Sequence, residues 1–342
     1  MQVGNQRMTS EDRRRLEMRF SGSDELPLMQ GLKRLLYDAF DETPSPVVPS
    51  SASTRPVSPA PASGDRAPCI TEKDVKRVLK DISHLFTLPD HVIRIMDILQ
   101  APGTTVHQVS NEIMGDPALA AEILRIVNSG FIGLKHRIAS IHHAVVILGF
   151  HLIQTIVLSV TVVNLTALKP LWNHSLACGQ LCSILGRRMG YPRPEDISVA
   201  GLLHDIGRII MAEYLKKEYE SVLKLACGEG ISGYQAEREL LGVSHADIGY
   251  WLLNSWNLPA ETVVPIGHHH QVKADSPYLL PTAIVHVSDV LVNAVGFQSH
   301  EGQRMTPLSP IAMDALHLSM GDLRELIQTL LDTGTPMPPE DE

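Results

Sequence analysis

The apolar residues recur at helical spacing over most of the chain beyond about residue 70. In the segment 91–100 they occupy positions 92, 93, 95, 96, 98 and 99, which is the periodicity of an amphipathic helix. No stretch alternates apolar and polar residues as a half-buried strand does. The pattern predicts an all-α fold, with helices too short and irregular for a coiled coil.

Turn and cap residues divide this pattern into separate helices. A capping-box-like Thr71 and Asp74 begin the first, and Asp116 followed by Pro117 has the form of an N-cap and first helical residue. The helices after the first are predicted at 91–100, 106–115, 117–128, 140–149, 150–167, 171–189, 196–205, 207–227, 233–240, 244–255, 260–270, 281–296 and 320–331.

Three regions differ in composition. Residues 1–40 form a short charged arm in which leucines 28, 32, 35 and 36 follow helical spacing, so the arm either docks on the rest of the protein or stays mobile. Residues 41–68 hold seven prolines and few large apolar residues, a composition typical of an extended linker. The remaining chain, 70–335, is predicted to form the main domain.

Charge and composition exclude several functions. A net charge of −9 and 5% aromatic residues argue against a nucleic-acid binder, which needs a basic surface and stacking platforms. Four cysteines without a paired framework indicate a reduced, cytoplasmic protein. The most apolar stretch, 144–168, is interrupted by polar residues, so buried helices are expected there rather than a membrane span.

The sixteen histidines are the most distinctive feature of the composition. Beyond residue 170 they recur beside acids or helix ends, and cysteine is absent from every one of these contexts. Histidine nitrogen and carboxylate oxygen are ligands for zinc, iron, manganese or nickel. The contexts are WNHS (172–175), GLLHDIGR (201–208), SHADIG (244–249), GHHH (267–270) and HVSD (286–289). A set of this size exceeds one tetrahedral site and suits two metals that share a carboxylate.

Each of these residues also has an ordinary structural explanation. His174 suits the edge of a core, Asp205 could be a helix cap, and His245 could merely follow the Ser244 cap. The three consecutive histidines point around most of a helix, so one of them is expected outside any shared site. Cys178 and Cys182, one turn apart, form either a zinc site or a pair of small core residues.

The segments LPDHVIRIMDIL (88–99), GDPALAAEILRIVNSGFIG (115–133) and IASIHHAVVILG (138–149) resemble the HDOD domain, an HD-related output domain of bacterial signalling proteins. His174, the HDIG segment at 204–207 and Asp289 resemble the H…HD…D signature of the HD metal-dependent phosphohydrolases. The resemblance covers about residues 81–290. It implies an all-helical fold in which an N-terminal helical bundle (70–168) packs on an HD-like helical half (169–335).

The resemblance implies two divalent transition-metal ions, with iron or manganese expected and nickel or zinc as alternatives. The ligands it assigns, which leave His268 outside, are His174, His204, Asp205, His245, His269, His270 and Asp289. Catalytic roles would fall to Asp205, as the bridge between the metals, and to Arg208, which would steady a phosphate. Arg208 replaces the family's lysine, and no GYP segment follows the histidine run, which weighs against cyclic-di-GMP hydrolysis.

Two functions follow as expectations. The first is a regulatory protein of bacterial signal transduction whose metal site serves binding or structure. The second is an active metal-dependent phosphohydrolase or phosphodiesterase acting on a nucleotide-type phosphate ester. The expected partners are signalling proteins or a phosphate-containing small molecule, with neither nucleic acid nor membrane, and the sequence carries no sign of the oligomeric state.

Overall fold

The computed structural model describes residues 10–20, 26–39, 89–128, 137–164, 169–256, 258–297 and 304–333. Most of these residues are helical, and the one extended pairing among them is an isolated bridge between Ser232 and Arg304. The helices are α1 (Ser10–Phe20), α2 (Pro27–Ala39), α3 (Asp90–Gln100), α4 (Val106–Met114), α5 (Pro117–Asn128), α6 (Ile141–Asn164), α7 (Lys169–Arg188), α8 (Pro194–Leu203), α9 (Ile206–Tyr214), α10 (Lys216–Glu229), α11 (Gly233–Leu241), α12 (His245–Ser255), α13 (Ala260–His268), α14 (Leu279–Val295), α15 (Pro310–Ala315) and α16 (Met320–Thr333). The prediction of an all-α fold is confirmed.

Side-chain caps begin several of these helices where the sequence indicates them. Asp116 accepts hydrogen bonds from the backbone N–H groups of Ala118 and Leu119, both at 3.0 Å, and so caps α5 as predicted. Capping boxes at Ser232 and Ser244 begin α11 and α12. The second of these caps matters most for function, because it fixes the start of α12 at His245.

Two helices differ from the predicted boundaries. The predicted break in 140–167 appears as a bend within α6, where Gly149 has a φ of +75°, a backbone conformation that favours glycine. The helix predicted over 207–227 is instead two, because the buried Leu215 leaves helical geometry with φ −122° and ψ 41°. Its apolar spacing continues through the break, so the sequence pattern gives no sign of it. The short α15 has no predicted counterpart.

The C-terminal half is built around the close crossing of α7 and α8. A Cβ at Gly201 would lie 2.6 Å from the Cys182 sulfur and 3.0 Å from the Gly179 Cα, so only glycine permits this approach. The Ser198 hydroxyl adds a hydrogen bond of 2.9 Å to the Gly179 carbonyl oxygen. Helix α14 packs on both members of this pair, and α13 packs on α8 and on α14.

The N-terminal arm docks on the C-terminal half. Helix α2 packs against α14 and α16, and its Leu32 and Leu36 are fully buried. Arg324 of α16 pairs with Asp38 at 2.8 Å, and the Leu308 N–H lies 3.3 Å from the Met29 sulfur. The predicted linker 41–68 and the first predicted helix near residue 71 lie outside the described residues.

No single helix in the described part of the chain is long and apolar enough to cross a membrane. The two segments of α6, Ile141–Phe150 and Leu152–Thr161, pass such a test only when they are taken together as a bent pair. Core helices of globular proteins pass it as well, and the described side chains of the second segment are buried.

Candidate metal centre

All seven predicted ligands meet in one cluster between these helices. Five places in the fold supply them, namely α7, the junction of α8 and α9, the start of α12, the end of α13 and the middle of α14. The residues are His174, His204, Asp205, His245, His269, His270 and Asp289. All except the half-buried His270 are at most 4% exposed. A buried polar cluster of this size needs either mutual pairing or a bound cation.

The first group consists of His174, His204 and Asp289. The Nε2 atoms of the two histidines are 3.1 Å apart. Asp289 Oδ1 lies 3.2 Å from His174 Nε2 and 3.5 Å from His204 Nε2. The Nδ1 atom of His174 faces the Phe297 carbonyl at 2.6 Å, and the Nδ1 atom of His204 faces the Gly201 carbonyl at 2.7 Å. Because a carbonyl only accepts, each Nδ1 carries a proton, and Nε2 is the ring nitrogen that faces the cluster.

The second group consists of His245, His269 and His270. The Nε2 of His245 lies 3.3 Å from that of His269 and 3.0 Å from that of His270. His269 Nδ1 faces the Ile266 carbonyl at 2.6 Å. Burial and the neighbouring histidines hold the pKa values of His269 and His270 well below the usual value. These rings are therefore neutral at pH 7, which is the state that binds a metal.

Asp205 lies between the two groups. Its Oδ2 is 3.7 Å from Nε2 of both His174 and His204, whereas its Oδ1 is 3.2 Å from Nε2 of His245. Arg208 approaches the same Oδ1 at 2.9 Å. Burial disfavours the charged form of this carboxyl, but Arg208 and the histidines outweigh it and hold the pKa well below the usual value. Asp205 therefore contacts both groups of histidines.

The other acid of the cluster, Asp289, is also ionised. Burial again opposes its charge, and contacts with His174 and His204 overcome that effect, so its pKa lies well below the usual value. Asn293 donates a hydrogen bond of 2.6 Å to its Oδ1. The pKa of His204 is raised because the two carboxylates outweigh the effect of burial. The first group therefore attracts positive charge.

Glu237 was not predicted from the sequence, yet it supports the second group. It is 1% exposed, and its Oε2 accepts hydrogen bonds from the His245 backbone N–H at 2.8 Å and from Nδ1 at 2.6 Å. A carboxylate behind a histidine ligand fixes its tautomer and orientation. The sequence did contain a sign of this role, because Glu237 is an acid four residues before Leu241 and so lies on the apolar face of α11.

Three further residues near the cluster have distinct positions. His268 is half-buried beside the Tyr250 ring, 6.4 Å between centroids, and takes no part in the cluster. His286 is buried and bonded on both sides, to the His269 carbonyl at 2.7 Å and to the Ser309 N–H at 2.9 Å, so it supports the chain around the site. Arg208, predicted to steady a phosphate, is 7% exposed and faces Asp205.

Cys178 and Cys182 are both fully buried, but their surroundings differ. Cys178 lies one turn after His174, and its thiol donates toward His174 Nε2 at 3.5 Å. Burial, together with Asp289, raises its pKa well above the usual value. Cys182 faces the Ile284 carbonyl of α14 at 4.0 Å and lies in the core. Of the two predicted alternatives, a zinc site or a small core residue, Cys182 therefore fits the second.

The ligand atoms fall into sets that could each hold a metal ion. One set contains His174, Cys178, His204 and Asp289, a second contains His245, His269 and His270, and a third contains His204, Asp205 and His269. Within each set the ligand atoms all lie within 4.8 Å of one another. The cluster is therefore capable of binding metal.

The described part of the chain is thus mainly helical and carries a buried His/Asp cluster. The family model of the HDOD domain matches residues 85–272, more than half of the chain, and the chain belongs to that family. A Treponema pallidum (strain Nichols) protein of uncharacterised function is 26% identical over 208 residues, which are 59% of this chain and 40% of that protein. The chain thus spans less than half the length of this curated relative.

Two crystal structures share the fold. An HDOD domain protein of unknown function from Geobacter sulfurreducens is 26% identical, with a TM-score of 0.55, over 76% of this chain and 94% of its own. A phosphohydrolase-like protein from Shewanella amazonensis SB2B is 25% identical, with a TM-score of 0.59, over 76% of this chain and 96% of its own. The fold and family predicted from the sequence are confirmed.

Proposed function

We propose that the chain is a regulatory protein of bacterial signal transduction that holds two divalent transition-metal ions in the cluster. One ion would be bound by each group, and Asp205 would bridge them. The carrying observation is the pairing of His245 with His269: both Nδ1 atoms face acceptors, so two Nε2 lone pairs meet at 3.3 Å. Two acceptors at that distance repel each other unless a cation or a proton lies between them.

The charge of the cluster supports the same proposal. Three buried carboxylates, Asp205, Asp289 and Glu237, face one buried guanidinium, that of Arg208. Buried charge is costly unless it is compensated by opposite charge. Divalent cations at this point would supply that compensation, with imidazole and carboxylate ligands that suit iron, manganese, zinc or nickel.

The burial of the cluster favours a regulatory role for the protein over catalysis. His270 is the one predicted ligand that is more than slightly exposed, and a phosphate ester would have to enter beside it. The ring of Tyr234 lies 4.6 Å from that of His270, and the Thr306 hydroxyl lies 3.1 Å from its Nδ1. An ion fits such a closed cluster without rearrangement, whereas a substrate would require these neighbours to move.

Metal content measured on anaerobically purified protein tests the proposal. The wild type should hold on the order of two ions, His174→Ala should lose the ion of the first group, and His245→Ala that of the second. Asp205→Ala should weaken both. His268→Ala is the matched control, because it removes a neighbouring histidine outside the cluster and should retain both ions. Substoichiometric metal in the wild type would contradict the proposal.

A metal-dependent phosphohydrolase is the second candidate, and the cationic Arg208 beside the bridging Asp205 favours it. The test is a panel of nucleotide and cyclic-dinucleotide substrates with Mn²⁺ and Fe²⁺. Turnover by the wild type that is lost in Asp205→Ala would establish the enzyme. If the metal-loaded wild type hydrolyses none of these substrates, the phosphohydrolase is refuted and the regulatory function remains.

A further inference from the structure

The first group has a fourth member that the His/Asp pattern does not contain. Cys178 and His174 are four residues apart on α7 and therefore lie on the same face of that helix. The Cys178 sulfur lies in one set with His174, His204 and Asp289, and all four side chains are buried. The set contains one sulfur, two nitrogens and one oxygen.

The separations from His174 within this set are close to those around a single tetrahedral ion. With metal–nitrogen and metal–oxygen distances of about 2.0 to 2.1 Å and metal–sulfur near 2.3 Å, tetrahedral angles place the ligand atoms about 3.3 to 3.6 Å apart. The distances from His174 Nε2 are 3.1 Å to His204 Nε2, 3.2 Å to Asp289 Oδ1 and 3.5 Å to Cys178 Sγ. The His174–Cys178 separation falls within this range, and the other two lie about 0.1 to 0.2 Å below its lower end.

Asp205 fits the same ion less well. Its Oδ2 is 3.7 Å from Nε2 of both His174 and His204, farther than Asp289 Oδ1 at 3.2 Å or Cys178 Sγ at 3.5 Å is from His174 Nε2. Its other oxygen is closer to the second group, 3.2 Å from His245. Asp205 is therefore placed between the groups, as a bridge would be, and the sulfur is the further donor within the first group.

We infer that Cys178 ligates the ion of the first group, which makes that site a mixed sulfur, nitrogen and oxygen site selective for zinc or iron over manganese. This inference rests on the proposed metal binding and deepens it. Thiolate is a soft ligand that favours zinc and ferrous iron, whereas manganese prefers oxygen. On binding, the thiol proton is released to solvent as the metal–sulfur bond forms, with no change of oxidation state.

Cobalt(II) reports the inference directly, because thiolate ligation gives an intense near-ultraviolet charge-transfer band. The metal-free full-length protein is titrated anaerobically with Co²⁺. The band should appear in the wild type and in Cys182→Ala, and it should be lost in Cys178→Ala. Cys182→Ala is the matched control, since it removes an equally buried thiol one turn further along α7. Both variants retain the exposed Cys227, which controls for surface thiols.

A second measurement needs no variant. X-ray absorption by the zinc-loaded wild type should show one sulfur at about 2.3 Å from part of the zinc. Bound cobalt without a charge-transfer band, or zinc without a sulfur neighbour, would overturn the inference and leave the proposed metal site intact. A band that persists in Cys178→Ala would overturn it as well. Failure to bind any metal would instead refute the proposed function itself.

Discussion

Replacing Gly207 with alanine should separate α9 from α12 and displace His245. A Cβ at this position would overlap the His245 carbonyl oxygen and lie 2.9 Å from the His245 Cα. The obstacle is backbone, which cannot rotate away as a flexible side chain can. The two helices must therefore move apart by about 1 Å, which a close-packed interior resists.

The size of the effect follows from that displacement. A metal site tolerates ligand errors of about 0.2 Å, so the second group should lose its ion while the first group keeps its own. Overpacking of this kind also lowers the free energy of unfolding by about 1 to 3 kcal/mol. Metal content and urea unfolding of the chelated protein measure the two effects separately.

The control is Gly228→Ala. Gly228 is exposed on α10, and no heavy atom would lie within 4 Å of an added Cβ. Alanine there should leave the metal content unchanged and stabilise the helix by about 0.5 to 1 kcal/mol. Wild-type metal content together with wild-type urea stability in Gly207→Ala would refute the reasoning.

Three further predictions concern other parts of the molecule. Glu237→Ala should weaken metal binding by the second group about 10- to 100-fold, which a competition titration with a chromophoric chelator measures; an unchanged affinity would show that Glu237 does not orient its histidine. Hydrogen bonds from the Ser319 side chain and backbone lower the pKa of Asp322 from 3.8 to about 2, so its stabilising effect is complete above the unfolded value and is lost as the pH falls toward 2. The stability difference between wild type and Asp322→Asn should therefore be larger at pH 6 than at pH 3, and equal differences in urea unfolding would contradict it. Leu36→Ala in the fully buried part of α2 should cost about 2 to 5 kcal/mol, whereas Leu26→Ala, 45% exposed, should change urea stability by less than about 0.5 kcal/mol.

The sequence predicts what depends on local spacing. Capping at Asp116 and the break near Gly149 could be read from neighbouring residues. The resemblance to the HD pattern named all seven side chains that meet in the cluster. The division at Leu215 could not be read, because its apolar side chain satisfies the helical pattern on both sides of the break. There the packing of α9 and α10 overrides local preference.

The groups that orient the histidines of the cluster could not be predicted from the sequence, for a different physical reason. Glu237 reaches His245 from another helix, and the Phe297 carbonyl reaches His174 across 123 residues. Such pairings depend on how helices cross, and backbone acceptors carry no residue identity. Cys178 occupies a position that also suits a core residue, so only its distance from His174 distinguishes the two roles.

The contact of α1 with the end of α14 links the beginning of the chain to the metal cluster. Arg19 donates a hydrogen bond of 3.1 Å to the Ala294 carbonyl, three residues before Phe297, whose own carbonyl holds His174 in place. The arm thus contacts the segment between Ala294 and Phe297 that orients His174. Thermodynamic linkage is reciprocal, so the proposed ion, if it rigidifies His174, would also stabilise the docked arm, and displacement of the arm would weaken binding of that ion.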